Sequence, residues 1–256
     1  MPPARPQFQT RLAETDADLR AAQRLRYEVF VAELGGGGTG VDHDQRLETD
    51  AFDPVYDHLL LEDTTRDAHP VVGVYRLMPG TRVAEIGAFY TEGEYDITPL
   101  RDGGRPLLEL GRSCLHRDYR GGTALAEMWS ALARYVLERE IEVLFGVASF
   151  HGTDVGRLAQ PLSHLHDRHL APPELRVTAR TEHARAMDIL PPTQIDRVAA
   201  VKAIPALIKG YLRLGGYVGE GAFVDHAFNT TDVCLVVDVH RMSEKHRGFY
   251  TRGLSA

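Results

Sequence analysis

Apolar positions along the chain fall into alternating strand-like and helix-like patterns. Residues 8–12 alternate as a short strand does. Apolar residues then recur at helical spacing from Thr15 or Asp16, the expected cap, to about Leu34. The glycines at 35–38 end this helix. Because their run lacks the Gly-Lys-Ser/Thr ending of a phosphate-binding loop, we interpret it as a flexible connector.

Further along, near-continuous apolar runs predict the strands of a sheet. They cover residues 58–62, 71–78, 83–90, 107–116, 143–150 and 233–239. The turn at 67–70 predicts a hairpin between the first two, and one apolar stripe over 124–140 predicts a helix that packs on the sheet. This alternation favours a single α/β domain over residues 1–256, with a core at about 8–155 and a C-terminal extension at about 156–256.

The extension contains one more amphipathic pattern, over residues 198–214. Lys202, Lys209 and Arg213 surround an apolar stripe there. Such a pattern fits a helix that lies on a membrane surface, but it is more commonly that of a helix packed on a core. Both interpretations are open at this point.

Composition narrows the class of protein. The net charge of −7 disfavours a general nucleic-acid binder, and the two cysteines offer neither a disulfide framework nor zinc-ligand spacing. No apolar stretch reaches the roughly 20 residues of a membrane span, and the N-terminal residues lack the apolar segment of a secretory signal. We therefore expect a soluble, cytoplasmic protein that is at most peripheral to a membrane.

Candidate chemistry concentrates in residues 107–125, LLELGRSCLHRDYRGGTAL. Glu109 and Arg112 are three apart in a predicted strand and would point to opposite faces. A bulge at Gly111 would turn both to one side and separate the strand from its neighbour, which leaves a slot for an extended ligand.

A basic, glycine-containing turn follows this strand and leads into a helix. N–H groups at a helix start, the helix dipole and nearby arginines together bind anions. Strand, slot and turn have the arrangement that a phosphopantetheine arm requires, although an ordinary strand–turn–helix with a solvated turn fits the same pattern. The donor-binding candidates are Arg117, Arg120, Gly121, Gly122 and Thr123.

The turn resembles motif A of the GNAT superfamily of N-acyltransferases, Gln/Arg-x-x-Gly-x-Gly/Ala. Gly122 and Ala124 match its last two positions, whereas Tyr119 stands where Gln or Arg is usual. The resemblance implies a GNAT-like mixed α/β fold with a largely antiparallel central sheet flanked by helices. It also implies direct acyl transfer without a covalent enzyme intermediate.

Longer stretches resemble two branches of that superfamily. LRYEVF, ETDAFD, VYRL and ELGRSC follow the acyl-homoserine-lactone synthases, whereas ASFHGTD at 148–154 and the block 204–233 resemble the ornithine–acyl-carrier-protein N-acyltransferases. The second resemblance implies transfer of a 3-hydroxyacyl group from acyl carrier protein to the α-amine of L-ornithine, giving lyso-ornithine lipid. The alternatives are a lactone synthase that uses S-adenosylmethionine and a non-catalytic acyl-carrier or lipid-binding module.

Chemistry and resemblance together select the site residues. Attack of an amine on a thioester requires removal of a proton, and Glu109 is the expected base or ammonium partner, with Arg112 as the second catalytic candidate. A structural ion pair of Glu109 with Arg112 or Arg76 is the alternative. Ornithine needs acids for its ammonium groups and an arginine for its carboxylate. The substrate-binding candidates are Arg26, Phe30, Asp50, Asp53 and Arg76.

Other reactive groups are expected to have no catalytic role. Cys114 with His116 would suit a covalent route, but a cysteine in a strand is usually a small buried hydrophobe. The histidines of HLHDRH, at 164–169, match no zinc spacing and are expected to be solvated or capping. We expect no metal and no cofactor beyond the phosphopantetheine of acyl carrier protein.

The resemblance also implies a strongly acidic partner, acyl carrier protein. On a chain of net charge −7 it is expected to dock on a local basic patch. The patch consists of Arg112, His116, Arg117 and Arg120, which Lys245, Arg247 and Arg252 would extend.

Overall fold

A computed structural model describes residues 5–242 as a mixed α/β fold of mostly antiparallel strands flanked by helices, as predicted. The α-helices are α1 (Asp16–Arg26), α2 (Thr98–Asp102), α3 (Ala124–Glu138), α4 (Ala159–His169), α5 (Arg197–Ala203) and α6 (Ala206–Arg213). The strands are β1 (Phe8–Leu12), β2 (Val41–Asp42), β3 (Leu47–Glu48), β4 (Asp57–Asp63), β5 (Val71–Pro79), β6 (Tyr95–Asp96), β7 (Leu107–Leu115), β8 (Val143–His151), β9 (Thr178–Ala179), β10 (Ala184–Arg185), β11 (Tyr217–Val218), β12 (Ala222–Asp225) and β13 (Thr230–Asp238). Within residues 5–242, every helix falls short of the length and apolarity that crossing a bilayer demands.

These elements form two compact units. The first contains residues 5–78 and 110–140, and the second contains residues 79–109 and 141–242. Strand β7 therefore belongs to the second unit as far as Glu109 and to the first from Leu110 onward. The predicted core and extension, which meet at about residue 155, stay a prediction.

The first unit packs α1 on a short set of strands. Strand β4 pairs antiparallel with β1 and β5, and β7 is the next neighbour of β5. Thr15 caps α1, as predicted, by accepting the N–H of Asp18 at 3.2 Å. Phe30, a predicted substrate contact, is partly buried and packs against the apolar core under this helix. That core consists of Ala22, Leu25, Val29, Leu60, Val71, Val74 and Cys114. The contact of Phe30 with substrate stays a prediction.

The second unit is built on a long antiparallel pair. Strands β8 and β13 pair along their whole lengths, β11 and β12 each pair with β13, and β10 pairs with β12. The first residues of β7 pair parallel with β8, and this pairing ends at Glu109 and Phe145.

The structure confirms most of the predicted elements. The hairpin of β4 and β5, the helix α3 and the strands β7, β8 and β13 all lie where the apolar pattern predicts, with small shifts at their ends. Each combines a strong apolar period with a clear turn signal on at least one side, which is the combination that local sequence specifies best.

Several local predictions were wrong. Residues 83–90 form no strand: 3₁₀ turns occupy Gly80–Glu85 and Tyr90–Gly93, and the first of these buries no side chain. The first helix has its predicted extent, but its last turns form a π-helix at Tyr27–Glu33. Residues 198–214 divide into α5 and α6, because Pro205 cannot continue the hydrogen bonding of α5. Helix α4 lies in a stretch for which the apolar pattern predicted no element.

Candidate active site

Arg26, the last residue of α1, is fully buried between two carboxylates. Its Nε donates to Glu48, and its Nη1 donates to Asp53 at 2.6 Å. Gln23, one turn earlier on the helix, donates to the other oxygen of Asp53 at 2.9 Å. A buried guanidinium is tolerated only when it is paired and hydrogen-bonded in this way.

Arg76, in β5, is the second buried cation of the site. Its Nη1 donates to both oxygens of Asp50 at 2.6 Å and to Asp53 at 3.0 Å. The rings of Phe52 and Tyr56 lie 5.9 Å and 4.6 Å from its guanidinium carbon, within cation–π range. Arg76 is therefore fixed by charge on one side and by aromatic rings on the other.

Arg112, in β7, completes a closed arrangement. Its Nε donates to Glu48 and its Nη2 donates to Asp50, both at 3.2 Å. Every carboxylate now contacts two arginines, and positive and negative groups alternate around a ring. We define the ion-pair ring as Arg26, Glu48, Arg112, Asp50, Arg76 and Asp53.

The backbone turns sharply at Arg112. Its φ of 48° lies in the left-handed region, which is unfavourable for a residue with a side chain. The positive φ falls at Arg112, the residue directly after Gly111, and the bulge expected at Gly111 stays a prediction. The ion pairs of Arg112 with Glu48 and Asp50 hold this conformation.

The ion-pair ring is accessible along only one edge. The side chains of Arg26 and Arg76 are 0% and 1% exposed, whereas those of Asp50 and Arg112 are 18% and 13% exposed. Of the predicted substrate-binding charges, Asp50 is thus the one that a ligand reaches directly. Arg26, Asp53 and Arg76 form the inner part of the ring.

Burial and neighbouring charges shift the pKa values of two buried groups of the site, Asp53 and His58. Burial alone would raise the pKa of Asp53, but Arg26 and Arg76 outweigh it and hold this pKa well below its usual range. Burial also lowers the pKa of His58, whose Nε2 lies 3.0 Å from the Asp53 carbonyl oxygen. The folded structure therefore stabilises the charged carboxylate form of Asp53.

Glu109, the predicted base, lies in the second unit and is 1% exposed. Its two oxygens accept the backbone N–H groups of Tyr90 at 3.0 Å and Thr91 at 2.5 Å. Both donors belong to the 3₁₀ turn at Tyr90–Gly93, which replaces the strand expected there. This turn fixes the position and orientation of the carboxylate. The catalytic role of Glu109 stays a prediction.

The predicted phosphate-binding turn connects β7 to α3. Gly121 adopts a φ of 80°, and Thr123 stands immediately before the first residue of α3. Arg120 donates to the Leu115 carbonyl at 3.0 Å and, through both terminal nitrogens, to Glu33 at 2.5 Å and 2.9 Å. The hydrogen bond from Arg120 lowers the pKa of Glu33. The guanidinium predicted to meet the donor phosphate is thus paired with an acid in this structure.

A cavity of about 220 Å³ lies beside this turn, in the first unit. It brings together His116 and Arg117 of the predicted basic patch. Its lining consists of Glu28, Val29, Ala32, Glu33, Arg46, His116 and Arg117. The predicted extension of the patch by Lys245, Arg247 and Arg252 lies outside the described residues.

The remaining candidate groups differ in their surroundings. Burial raises the pKa of Cys114 to about 12, so its thiol is a poor nucleophile near neutral pH. His164 is buried rather than solvated, and burial lowers its pKa. Among residues 5–242, the group of three His, Cys, Asp or Glu residues whose ligand atoms lie within 4.8 Å of one another is Glu94, Asp225 and Asp232, in the second unit, and it contains none of the predicted site residues.

Several residues of the site were not predicted from the sequence. Glu48 was quoted within ETDAFD but was not chosen, and Gln23 and Tyr56 were missed entirely. Gln23 had a usable signal, because it lies three residues before Arg26 on a helix and so faces the same side. Tyr56 had a partial signal, because it directly precedes β4, and the predicted hairpin pairs His58 of that strand with Arg76.

Comparison with known proteins identifies relatives over nearly the whole length. An acetyltransferase (GNAT) domain model matches residues 25–130. The chain is 60% identical over 248 residues to the L-ornithine N(alpha)-acyltransferase of Rhodobacter capsulatus, covering 96% of this chain and 95% of that protein. It is 38% identical to the protein of the same name from Brucella abortus, covering 95% and 88% of the two chains.

Solved structures show the same fold at low sequence identity. FeeM, an N-acyl amino acid synthase from uncultured soil microbes, superposes with a TM-score of 0.53 at 12% identity and covers 93% of this chain and 95% of its own. The AHL synthase LasI superposes with a TM-score of 0.51 at 18% identity, covering 96% and 95%. These similarities extend the shared fold beyond the residues that the domain model matches.

Proposed function

The chain belongs to the family of the L-ornithine N(alpha)-acyltransferases, and on this premise we propose that it acylates the α-amine of L-ornithine with a 3-hydroxyacyl group from acyl carrier protein. The product is lyso-ornithine lipid. The observation that carries the proposal is the near full-length identity of 60% to a protein of that name. No cofactor is required beyond the phosphopantetheine of the carrier. Because carrier and amino acid are cytoplasmic, we place the enzyme there.

The accessible edge of the ion-pair ring supplies the chemistry that an amino acid with two amines requires. Asp50 accepts hydrogen bonds from the side-chain ammonium, and Arg112 binds the carboxylate. Arg26, Asp53 and Arg76 act as positioning residues, since each is buried and paired within the ring. The fixed ring limits the reorganisation needed when the substrate binds.

The reaction itself requires two proton transfers from the amine and one acyl transfer. Glu109 accepts the proton of the α-ammonium, directly or through a water molecule. The neutral amine then attacks the thioester carbonyl, the C–N bond forms, and the C–S bond breaks. The nitrogen gives up its second proton as the amide forms, and the departing pantetheine thiolate takes up a proton to become the thiol. Because the substrate amine attacks the thioester directly, no covalent enzyme intermediate arises. The phosphate of the donor arm binds at Gly121, Gly122 and Thr123, at the start of α3.

The test uses purified protein, L-ornithine and 3-hydroxyacyl carrier protein. We expect release of the carrier thiol, detected with a thiol reagent, and an acyl-ornithine amide, detected by mass spectrometry. A thiol released only with S-adenosylmethionine, together with a lactone product, would instead identify a lactone synthase. Carrier binding without release of thiol would identify a non-catalytic module.

A further inference from the structure

Helix α5 exposes an unusual face. The side chain of Val198 is 81% exposed and that of Val201 is 43% exposed, although both are large aliphatic residues. The buried positions on this segment are Ala200 and Ile204, at 0% and 3%. Val198 and Val201 are three apart and therefore lie on one side of the helix, away from the packed side.

The charges on this segment all have one sign. From residue 197 to residue 219 the chain contains no acidic residue. It does contain the cations Arg197, Lys202, Lys209 and Arg213. The nearest acid, Asp196, caps α5 by accepting the N–H groups of Val198 and Ala199 at 3.0 Å and 3.1 Å. The exposed positions of α5 are consequently apolar or cationic, in a protein whose net charge is −7.

Pro205 separates α5 from α6, which the sequence pattern had predicted as one amphipathic helix. Helix α6 turns Ile208 and Tyr211 inward, at 0% and 4% exposed, as a core-packed helix does. Helix α5 turns its valines outward. Lys209 links the two by donating to the Val201 carbonyl at 3.3 Å, which places a cation at the end of the exposed face.

We propose that the exposed face of α5, formed by Arg197, Val198, Val201 and Lys202, binds the surface of an anionic phospholipid bilayer. Cations flanking small apolar side chains are complementary to such a surface: the cations meet lipid phosphates, and the valines enter the interfacial region. A seven-residue helix gives weak, reversible attachment. The face itself does not depend on the proposed function, but its use in passing a lipid product to the membrane does.

Vesicle flotation tests the proposal. Full-length protein is expected to float with phosphatidylglycerol-rich vesicles and not with pure phosphatidylcholine vesicles. Each cation near an anionic surface contributes a factor of about five to partitioning, so R197Q/K202Q should lower the partition coefficient by about 25-fold. V198S/V201S should also reduce binding. The matched control is L137S on α3, whose leucine is 40% exposed and which should leave binding unchanged.

Several results would overturn the proposal: no flotation of the wild-type protein, equal binding to both kinds of vesicle, or equal loss in the L137S control. Light scattering that shows dimers dissociated by V198S/V201S would assign the face to a second copy of the chain. A raised KM for acyl carrier protein in R197Q/K202Q would assign the exposed face of α5 to the carrier.

Activity on soluble substrates should be unchanged in the α5 variants. If the wild-type enzyme itself proves inactive, the proposed function fails while the vesicle result still decides this one.

Discussion

The phenol hydroxyl of Tyr119 donates a hydrogen bond of 2.7 Å to the carboxylate of Asp63, at the end of β4. The Tyr119 ring also lies edge-on to Phe8 and to His116, with centroids 5.9 Å apart in each case. Motif A usually has Gln or Arg at this position. Here the side chain joins the predicted phosphate-binding turn to a neighbouring strand, so it positions the turn and does not contribute a cation.

Tyr119→Phe should loosen this turn. Loss of one hydrogen bond is expected to lower the free energy of unfolding by about 1 kcal/mol and to raise the KM for acyl carrier protein without changing that for ornithine. The matched control is Tyr135→Phe, which removes a 2.6 Å hydrogen bond to Asp57 elsewhere in the same unit. Equal donor KM values in the two variants would show that Tyr119 has no specific role in donor binding.

Asp53→Asn should destabilise the first unit strongly. Removing one partner of a buried ion pair leaves Arg26 and Arg76 undercompensated and typically costs about 3–5 kcal/mol. Urea unfolding measures the loss. A cost below about 1 kcal/mol would mean that the ring contributes little to stability.

The same carboxylate predicts how stability depends on pH. The folded-state pKa of Asp53 lies below its unfolded value of about 3.9, so its contribution is complete above that pH and is lost as the pH falls through the folded pKa. Asp63 adds to this trend: burial would raise its pKa, but hydrogen bonds from Tyr119 and Thr65 lower it to about 2. Unfolding free energies of Asp53→Asn should therefore fall less steeply below pH 4 than those of the wild type.

Asp50→Asn should separate substrate binding from folding. Its carboxylate lies at the accessible edge of the ring, and asparagine keeps one acceptor oxygen for Arg76, so the variant is expected to lose less stability than Asp53→Asn. It should show a KM for ornithine raised about tenfold or more, equivalent to at least about 1.4 kcal/mol. Steady-state kinetics with varied ornithine measure the effect. An unchanged KM would exclude Asp50 as the ammonium partner.

Glu109→Gln should lower kcat while leaving the affinity for acyl carrier protein nearly unchanged. A glutamine offers one acceptor oxygen to the two N–H groups of Tyr90 and Thr91, so some loss of stability is also expected. A pH–rate profile separates the two effects, because only loss of a base changes the shape of the acidic limb. Wild-type kcat in this variant would remove Glu109 from the mechanism.

Substitutions of Arg120 and of Glu33 should change the KM for acyl carrier protein in opposite directions. If Glu33 competes with the donor phosphate for the guanidinium, Arg120→Ala raises the KM for acyl carrier protein and Glu33→Gln lowers it. Both should leave the KM for ornithine unchanged. A raised donor KM in Glu33→Gln would instead mean that the pair holds the turn in its working shape.

How much the sequence predicts depends on how local the cause is. Thr15 as a cap and the strands β7, β8 and β13 follow from residues a few positions apart, and these predictions are confirmed. The sequence also contains the signal for the break at Pro205, since proline ends the hydrogen bonding of a helix. One continuous helix was predicted instead, because the apolar stripe continues on both sides of this residue.

The ion-pair ring could be predicted only in part. Resemblance supplied Arg26, Asp50, Asp53, Arg76 and Arg112 as a set, but not their pairing. Which acid contacts which arginine depends on the relative placement of α1, β3, β5 and β7, and no period in the sequence encodes that. For the same reason the sequence did not predict that one side of Phe30 packs against the apolar core, and its contact with substrate stays a prediction.

The burial of the ion-pair ring has a practical consequence for handling the protein. Dissolved salt screens charges only where mobile ions approach them, and at 1 M the screening length is about 3 Å. Arg26 and Arg76 are out of reach of such ions, whereas Arg197 and Lys202 are in contact with solvent. If α5 binds anionic membranes as proposed, a salt wash should weaken that attachment and leave the ion-pair ring intact, which would offer a gentle route to purification without detergent.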